Sequence, residues 1–221
     1  MAIMIKQAGI WLGITVVIIL VVIGLVKISN SSSPQVNKLS IPKVSKTDLG
    51  MGNPNSKLTV IEYADFQCPS CLQEYPIIKQ LNNTYNGKIY FIYRFFPLIQ
   101  IHKNAMASAQ AAYAAYLQNK FWQMHDKLFE NQNNWADLNN PTDTFVSYAK
   151  ALSLNIEKFK KDMQSPSTAN FINNEESAGT SAGVNATPTI FVNGSIVNNT
   201  DNTLPTYDQI KQLVDQALAK K

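Results

Sequence analysis

The chain has 221 residues, of which 45% are hydrophobic and 15% charged, and its formal net charge is +4 at pH 7. From residue 28 onward there are 17 basic and 15 acidic residues, a net charge of +2, which excludes the basic surface of a typical nucleic-acid-binding domain. The roughly 170 residues that follow the N-terminal part are enough for one domain with a well-buried core.

An apolar segment near the N-terminus predicts a membrane anchor. Residues Ala8–Val26 contain one non-apolar side chain, that of Thr15. At about 1.5 Å per residue, a helix of this length matches the hydrocarbon core of a bilayer and is longer than the apolar part of a signal peptide. We therefore expect residues 1–28 to be an uncleaved anchor, followed by a polar, proline-containing linker at 29–47.

The four residues Cys68-Pro69-Ser70-Cys71 hold both cysteines of the chain. A strand is predicted before them, at 57–64, and a helix from Cys68 to about residue 86, because apolar side chains recur there with helical spacing. Cys68 would begin this helix, where unpaired backbone N–H groups and the helix dipole favour a thiolate, and Pro69 suits the first helical position. In such Cys-X-X-Cys pairs the thiol pKa falls from about 8.5 into a range of about 3.5–7.5.

The spacing of the two cysteines favours a redox function. Cys71, one turn into the helix, would be close enough to attack a mixed disulfide formed on Cys68. Two alternatives remain open. A Cys-X-X-Cys pair is half of a zinc site, although zinc takes four ligands at recognisable spacing, and His102 and His125 lie 23 residues apart. A purely structural disulfide would close a very short loop and so stabilise little. We favour the redox switch and expect no metal.

Beyond the cysteines, the sequence predicts a second strand and then a long helical part. Pro76 should kink the first helix, and the turn Asn86-Gly87 precedes an aromatic and β-branched strand at 88–96. Trp122 and Trp135 are expected in the core of the helical part. Helical patterns recur at 103–117, 121–131, 142–152, 156–163 and 167–182.

The C-terminal part returns to strands. Residues 189–192 and 195–197 flank Asn193-Gly194, a pair typical of tight hairpin turns, and an amphipathic helix follows at 207–219. The order strand–helix–strand, helical block, strand–strand–helix is that of one split α/β domain, residues 48–221, with a helical insertion at about 103–182.

Three stretches carry a family resemblance. They are Gly52–Asn55 with Asp65–Gln67 before the Cys-Pro-Ser-Cys; Phe96–Leu98, His102 and Lys120–Asp126; and Gly183–Thr189 before Phe191–Gly194. In these stretches the chain resembles the DsbA-like thiol:disulfide oxidoreductases, a thioredoxin-fold family with a helical insert, and its layout is similar to that of membrane-anchored members from bacteria without a conventional periplasm. It departs from the best-known strong oxidants of the family at Ser70, where they carry a histidine that can stabilise the thiolate.

The resemblance implies a thioredoxin-like fold and assigns roles to individual residues. Cys68 and Cys71 would form the redox-active disulfide around the active-site dipeptide Pro69-Ser70, with no other cofactor. Thr187-Pro188 would be a cis-proline loop facing the cysteines, where the Thr187 backbone binds an extended substrate segment; the alternative is an ordinary trans turn. Glu62 would be a buried acid beneath Cys71 that relays its proton through water; the alternative is a carboxylate that reaches solvent.

The leading functional hypothesis is an extracytoplasmic oxidase. It would pass the Cys68–Cys71 disulfide to reduced secreted or membrane proteins and be regenerated by a membrane quinone-linked thiol oxidase. Two alternatives stay open: a reductase for a specific client, such as a cytochrome-maturation protein, and a non-catalytic peptide-binding or chaperone module. The direction of electron flow follows the reduction potential relative to that of the compartment.

The lysines near the anchor and the redox chemistry disagree about orientation. Lys6 precedes the apolar segment and Lys27, Lys38, Lys43 and Lys46 follow it, so the positive-inside rule would place the domain in the cytoplasm. Disulfide donors, however, work where disulfides persist, outside the reducing cytosol. We give the chemistry more weight and predict a single-pass protein of the cell membrane with an extracytoplasmic catalytic domain.

Overall fold

A computed structural model of the chain describes residues 43–45, 47–197 and 203–219. The predicted anchor, residues 1–28, and most of the predicted linker, residues 29–47, lie outside these described residues. Within the described ranges, no helix combines the length and the apolar character needed to cross a membrane. The described ranges cover most of the predicted domain of residues 48–221.

A mixed sheet forms the centre of the domain. Its strands are β1 (Leu49–Gly52), β2 (Thr59–Ala64), β3 (Tyr90–Phe95), β4 (Thr189–Val192) and β5 (Ser195–Val197). They lie in the order β1-β3-β2-β4-β5, with β2 and β3 parallel and the other neighbours antiparallel. Four of these strands are predicted by the sequence. The sequence does not predict β1, because Leu-Gly-Met-Gly lacks the β-branched and aromatic residues typical of strands.

The helices follow the predicted pattern closely. In the described ranges they are α1 (Pro69–Thr84), α2 (Ala105–Tyr116), α3 (Phe121–Glu130), α4 (Gln132–Trp135), α5 (Thr142–Ala151), α6 (Ile156–Met163), α7 (Pro166–Ser181) and α8 (Tyr207–Ala219). All except α4, a single turn that the sequence does not predict, have both ends within two residues of the predicted ones. Pro76 lies inside α1, which continues through it to Thr84.

One face of the sheet is covered by α1 and α8. Val60 and Phe91 of the sheet form an apolar cluster with Leu81 of α1 and Val214 of α8. Because side chains alternate along a strand, Glu62 projects from the same face as Val60. This acid therefore lies beneath α1, the helix that carries the two cysteines.

The other face is covered in part by α7. Tyr63 and Phe191 belong to a second apolar cluster on this side. A Cβ atom at Gly179 of α7 would lie 2.8 Å from the Tyr63 ring, so glycine permits the helix to approach the sheet closely. The sheet is thus packed on both faces, as expected for a thioredoxin-like fold.

The helical insertion packs against the cysteines at the start of α1 and against the adjacent ends of β2 and β3. Its core cluster contains Trp135 together with Phe66, Phe95 and both cysteines. Trp135 is fully buried and Trp122 is partly buried, as the sequence predicts. The cysteines therefore lie where the split α/β part meets the insertion.

A buried ion pair fixes the segment before β1. The Nη2 atom of Arg94, in β3, donates to both carboxylate oxygens of Asp48 at 3.1 Å and to the Lys43 carbonyl at 3.2 Å. Its Nη1 atom donates to the Tyr63 hydroxyl at 3.0 Å, and the side chains of Arg94 and Asp48 are both 4% exposed. Because removing one partner would leave a buried charge, Arg94, for which the sequence predicts no role, ties the start of the domain to the sheet.

Candidate active site

Cys68 occupies the N-cap of α1, and Pro69 is the first helical residue, as predicted. The Cys68 side chain is buried, with 6% of its surface exposed. A hydrogen bond from the Cys71 thiol is the main cause that lowers the pKa of Cys68, to about 5, against the opposing effect of burial. The Thr187 side chain and the backbone N–H groups of Cys71 and Ser70 lower this pKa further. Cys68 is therefore ionised at neutral pH.

Cys71 has the opposite acid–base character. It is fully buried, and both cysteines are free thiols in this structure. Burial raises the pKa of Cys71 well above its usual range, and its hydrogen bond to Cys68 and the charges of Cys68 and Glu62 raise it further. A Cys71 thiolate released from a disulfide would consequently need a proton at once.

The predicted proline loop lies against Cys68. The Thr187–Pro188 peptide bond is cis, as predicted, and the Cys68 sulfur lies 3.5 Å from the Thr187 carbonyl oxygen, to which it donates when protonated. Within the described part of the chain the Thr187 hydroxyl has no hydrogen-bond partner, so it is available to donate to the Cys68 thiolate. A groove of about 740 Å³ runs beside the loop, from Ser70 and Gln73 to β5, and none of its described lining residues is charged.

Buried polar side chains that the sequence does not predict fix the backbone around Cys68. Gln132, in α4, donates from Nε2 to the Cys68 carbonyl at 3.1 Å. Asp65 Oδ2 accepts from the Leu98 N–H at 3.0 Å and contacts His102 Nδ1 at 2.6 Å. His102 thus binds an acid that lies three residues before Cys68 in the sequence. Nothing in the local sequence indicates the Gln132 contact, because 64 residues separate its two partners.

Glu62 is buried, as predicted, with 2% of its surface exposed, so the alternative of a carboxylate that reaches solvent is wrong. Burial raises the pKa of Glu62 to about 8, which favours the protonated carboxyl. Its charge, once ionised, raises the pKa of Cys71. The structure thus brings together Cys68, Cys71, Glu62 and the Thr187-Pro188 loop.

A second buried acid, Glu74, lies in α1 three residues after Cys71, and the sequence analysis does not identify it. Burial raises its pKa to about 9, with a smaller contribution from the charge of Glu62. The available sequence signal is an acid in phase with Cys71, Ile78 and Leu81 along the buried side of α1.

The chemistry of this site is that of thiols and acids. Among the side chains in residues 43–45, 47–197 and 203–219, no three His, Cys, Asp or Glu are placed to hold a metal ion. An ionised thiol is the nucleophile of thiol–disulfide exchange, and here a protonated thiol and a buried acid lie behind it.

Sequence comparisons agree with this chemistry. The family described as Thioredoxin matches residues 44–216. The chain is 27% identical over 181 residues to the probable disulfide bond formation protein D of Bacillus cereus, which covers 79% of this chain and 80% of that protein. It is 33% identical over 161 residues to Na(+)/H(+) antiporter NhaA 1 of Mycolicibacterium gilvum, covering 71% of this chain and 25% of the antiporter. The matched part of the chain thus spans about a quarter of the length of that antiporter.

A solved structure shows the same fold. The crystal structure of oxidised BdbD from Bacillus subtilis superposes with a TM-score of 0.70 at 24% identity, covering 83% of this chain and 100% of that chain. The insertion of helices into a thioredoxin fold is therefore shared with a solved protein. With a family match over residues 44–216, the chain belongs to the thioredoxin family, as its sequence motifs predict.

Proposed function

We propose that this chain is an oxidant, which transfers the Cys68–Cys71 disulfide to reduced secreted or membrane proteins outside the cytoplasm. The observation that carries the proposal is the pKa of Cys68, lowered to about 5. A thiolate that is stabilised in the folded, reduced chain favours reduction of the disulfide, and a stabilised reduced form is what makes DsbA a strong oxidant. The name of the Bacillus cereus relative, a probable disulfide bond formation protein, supports the same direction.

The reaction begins when a client thiolate attacks the Cys68 sulfur of the disulfide. The client–Cys68 bond forms, the Cys68–Cys71 bond breaks, and its electron pair leaves on Cys71. Glu62 donates a proton to this strongly basic thiolate, either directly or through one water. A second client thiolate then attacks the client sulfur of the mixed disulfide, and Cys68 leaves as a stabilised thiolate. The client has lost two electrons and the chain has gained them.

The uncharged groove beside Pro188 is the place where the client would bind. The Thr187 carbonyl oxygen lies 3.5 Å from the Cys68 sulfur. The sulfur of a disulfide has no proton to donate, so in the oxidised chain this carbonyl is free to accept from a client backbone N–H. An extended client segment would gain affinity from such main-chain bonds and specificity from the neutral lining.

Each cycle leaves the chain as a dithiol, so a partner must remove two electrons. We propose that a membrane quinone-linked thiol oxidase does so, and that residues 1–28 anchor the chain beside it. Disulfides formed in this way persist outside the reducing cytosol, which favours an extracytoplasmic position for the domain.

The reduction potential of the full chain tests the proposed direction. The chain would be equilibrated with glutathione buffers, and its thiol content would be measured by alkylation. A value near about −120 mV, as in DsbA, is expected for a disulfide donor, whereas about −270 mV, as in thioredoxin, would make the protein a reductase and overturn the proposal.

A further inference from the structure

Glu74 is a buried acid for which the fold supplies no partner. It is 0% exposed, and neither carboxylate oxygen has a hydrogen-bond partner in the described part of the chain. Buried polar groups are nearly always hydrogen-bonded, because loss of hydration without compensation opposes folding. A leucine would pack at this position without that penalty, so the acid calls for a functional explanation.

The position of Glu74 links it to the redox site. The buried side of α1 consists of Cys71, Glu74, Ile78 and Leu81. A spacing of three residues places Glu74 next to Cys71 on one face of the helix. Glu62 projects from the strand face that this helix covers. The charge of Glu62 acts on both Cys71 and Glu74, so the three groups form one buried cluster.

The charge of Glu62 acts on Cys71 and Tyr93 as well as on Glu74. Burial, together with the charge of Glu62 in the case of Glu74, sets the pKa values of the pair. The remaining titratable side chains on the described elements that form or pack against the cluster are Tyr63 on β2, Tyr75 and Lys79 on α1, Tyr90, Tyr93 and Arg94 on β3, His125, Asp126, Lys127 and Glu130 on α3, and Tyr207, Asp208, Lys211 and Asp215 on α8.

We propose that Glu74 is a positioning residue for proton transfer to Cys71: its carboxyl O–H donates a hydrogen bond to the Glu62 carboxylate that remains after Glu62 has given its proton away. The inference rests on the proposed relay by Glu62. The proton of Glu62 moves to the Cys71 sulfur, and Glu74 keeps its own proton while bonding to Glu62 after a side-chain rotation or through one water. Two like charges cannot both be held in this site, so Glu74 stays neutral whenever Glu62 is ionised.

The proposed hydrogen bond makes Glu62 a better proton donor than burial alone would allow. A bond to the ionised form of an acid favours ionisation. Leucine at position 74 would remove the bond and keep the site apolar. Proton transfer from Glu62 should then become about 10- to 100-fold less favourable, as expected for the loss of one hydrogen bond to a charged group.

The test compares Glu74→Leu and Glu74→Gln in the oxidised full chain. The measurement is the rate of mixed-disulfide formation with a peptide that has a single cysteine, as a function of pH. We expect Glu74→Leu to form the mixed disulfide at least about 10-fold more slowly than the wild type. The rate should fall at alkaline pH as Glu62 loses its proton, and this fall should occur at higher pH in Glu74→Leu. Glu74→Gln keeps a donor and should retain most of the rate. Thermal unfolding should show that Glu74→Leu is at least as stable as the wild type, because leucine avoids the penalty of the unpartnered acid.

Controls separate this role from packing and from the relay itself. Ile78→Val changes the packing one turn further along α1 without removing an acid and should keep the wild-type pH profile. A normal rate and profile in Glu74→Leu, with a slowed Glu62→Gln, would overturn the role of Glu74 and leave the relay intact. Normal rates in Glu62→Gln as well would overturn the relay.

A second measurement does not depend on the leucine variant folding. Carboxyl ¹³C chemical shifts in the Glu62→Gln variant report the ionisation of Glu74 directly. The pKa of Glu74 should fall in this variant, because the negative charge that raises it is gone. A titration of Glu74 identical to that in the wild type would show that the acids do not interact and would overturn the inference.

Discussion

Replacing Cys71 should change the acidity of Cys68 as well as abolish turnover. The hydrogen bond from the Cys71 thiol is the largest cause of the lowered Cys68 pKa, whereas the backbone donors at the start of α1 remain in any variant. Cys71→Ala removes this donor, and Cys71→Ser keeps a hydroxyl in its place. A hydrogen bond to a charged group contributes about 1.5–3 kcal/mol, so the ionisation constant of Cys68 should fall about 10- to 100-fold in Cys71→Ala and much less in Cys71→Ser.

The rate of alkylation by iodoacetamide as a function of pH measures this ionisation, because only the thiolate reacts. Equal midpoints in the wild type and Cys71→Ala would show that the Thr187 side chain and the helix start set the acidity, and would refute the role given to the Cys71 thiol. The same variants test the division of labour between the cysteines. Cys71→Ser should accumulate mixed disulfides with clients, whereas Cys68→Ser should trap none, since Cys71 is fully buried and its pKa is raised.

Three further outcomes are expected. Because folding lowers the Cys68 pKa to about 5, the stabilisation by its thiolate is complete above the pKa of an unfolded thiol and is lost as the pH falls toward 5. In urea titrations, the free energy of unfolding of the reduced chain should therefore drop by about 2 kcal/mol from pH 7 to pH 5, relative to that of the oxidised chain. The oxidised chain is the reference because it contains the same buried acids, so their contribution to the pH dependence cancels. Asp48→Ala should cost about 3–5 kcal/mol in the same assay by leaving Arg94 buried without its carboxylate, and a loss below about 1 kcal/mol would contradict the buried ion pair. On intact cells, a membrane-impermeant amine reagent should label lysines of the domain; protection until lysis would place it in the cytoplasm.

The sequence predicts those elements whose residues carry their own structural preference. The hairpin between β4 and β5 is one case, since Asn193 and Gly194 both adopt the positive φ, 47° and 83°, that a tight hairpin turn needs. Strand β1 is the opposite case. Its residues form a strand because they pair with β3, where Leu49 lies opposite Tyr93, and local composition gives no indication of this long-range pairing.

The site divides in the same way. Cys68, Cys71 and Pro69 are recognisable from the Cys-X-X-Cys motif, whereas the Thr187-Pro188 loop and Glu62 are assigned through the family resemblance. Glu74 escapes prediction because Leu72 and Tyr75 also suit a helical apolar face, which shifts the expected buried side of α1 away from the one observed. Packing against the sheet, rather than the spacing of apolar residues alone, decides which side of the helix is buried.

A serine between the cysteines weakens the proposed oxidant without reversing its direction. The Cys68 pKa of about 5 is reached through the Cys71 thiol, the Thr187 side chain and backbone donors, with Ser70 contributing its N–H group. The thiol pKa is about 3.5 in DsbA and about 7 in thioredoxin. A Cys68 pKa of about 5 lies between these two values, so the donors around Cys68 favour a reduction potential between about −120 mV and about −270 mV.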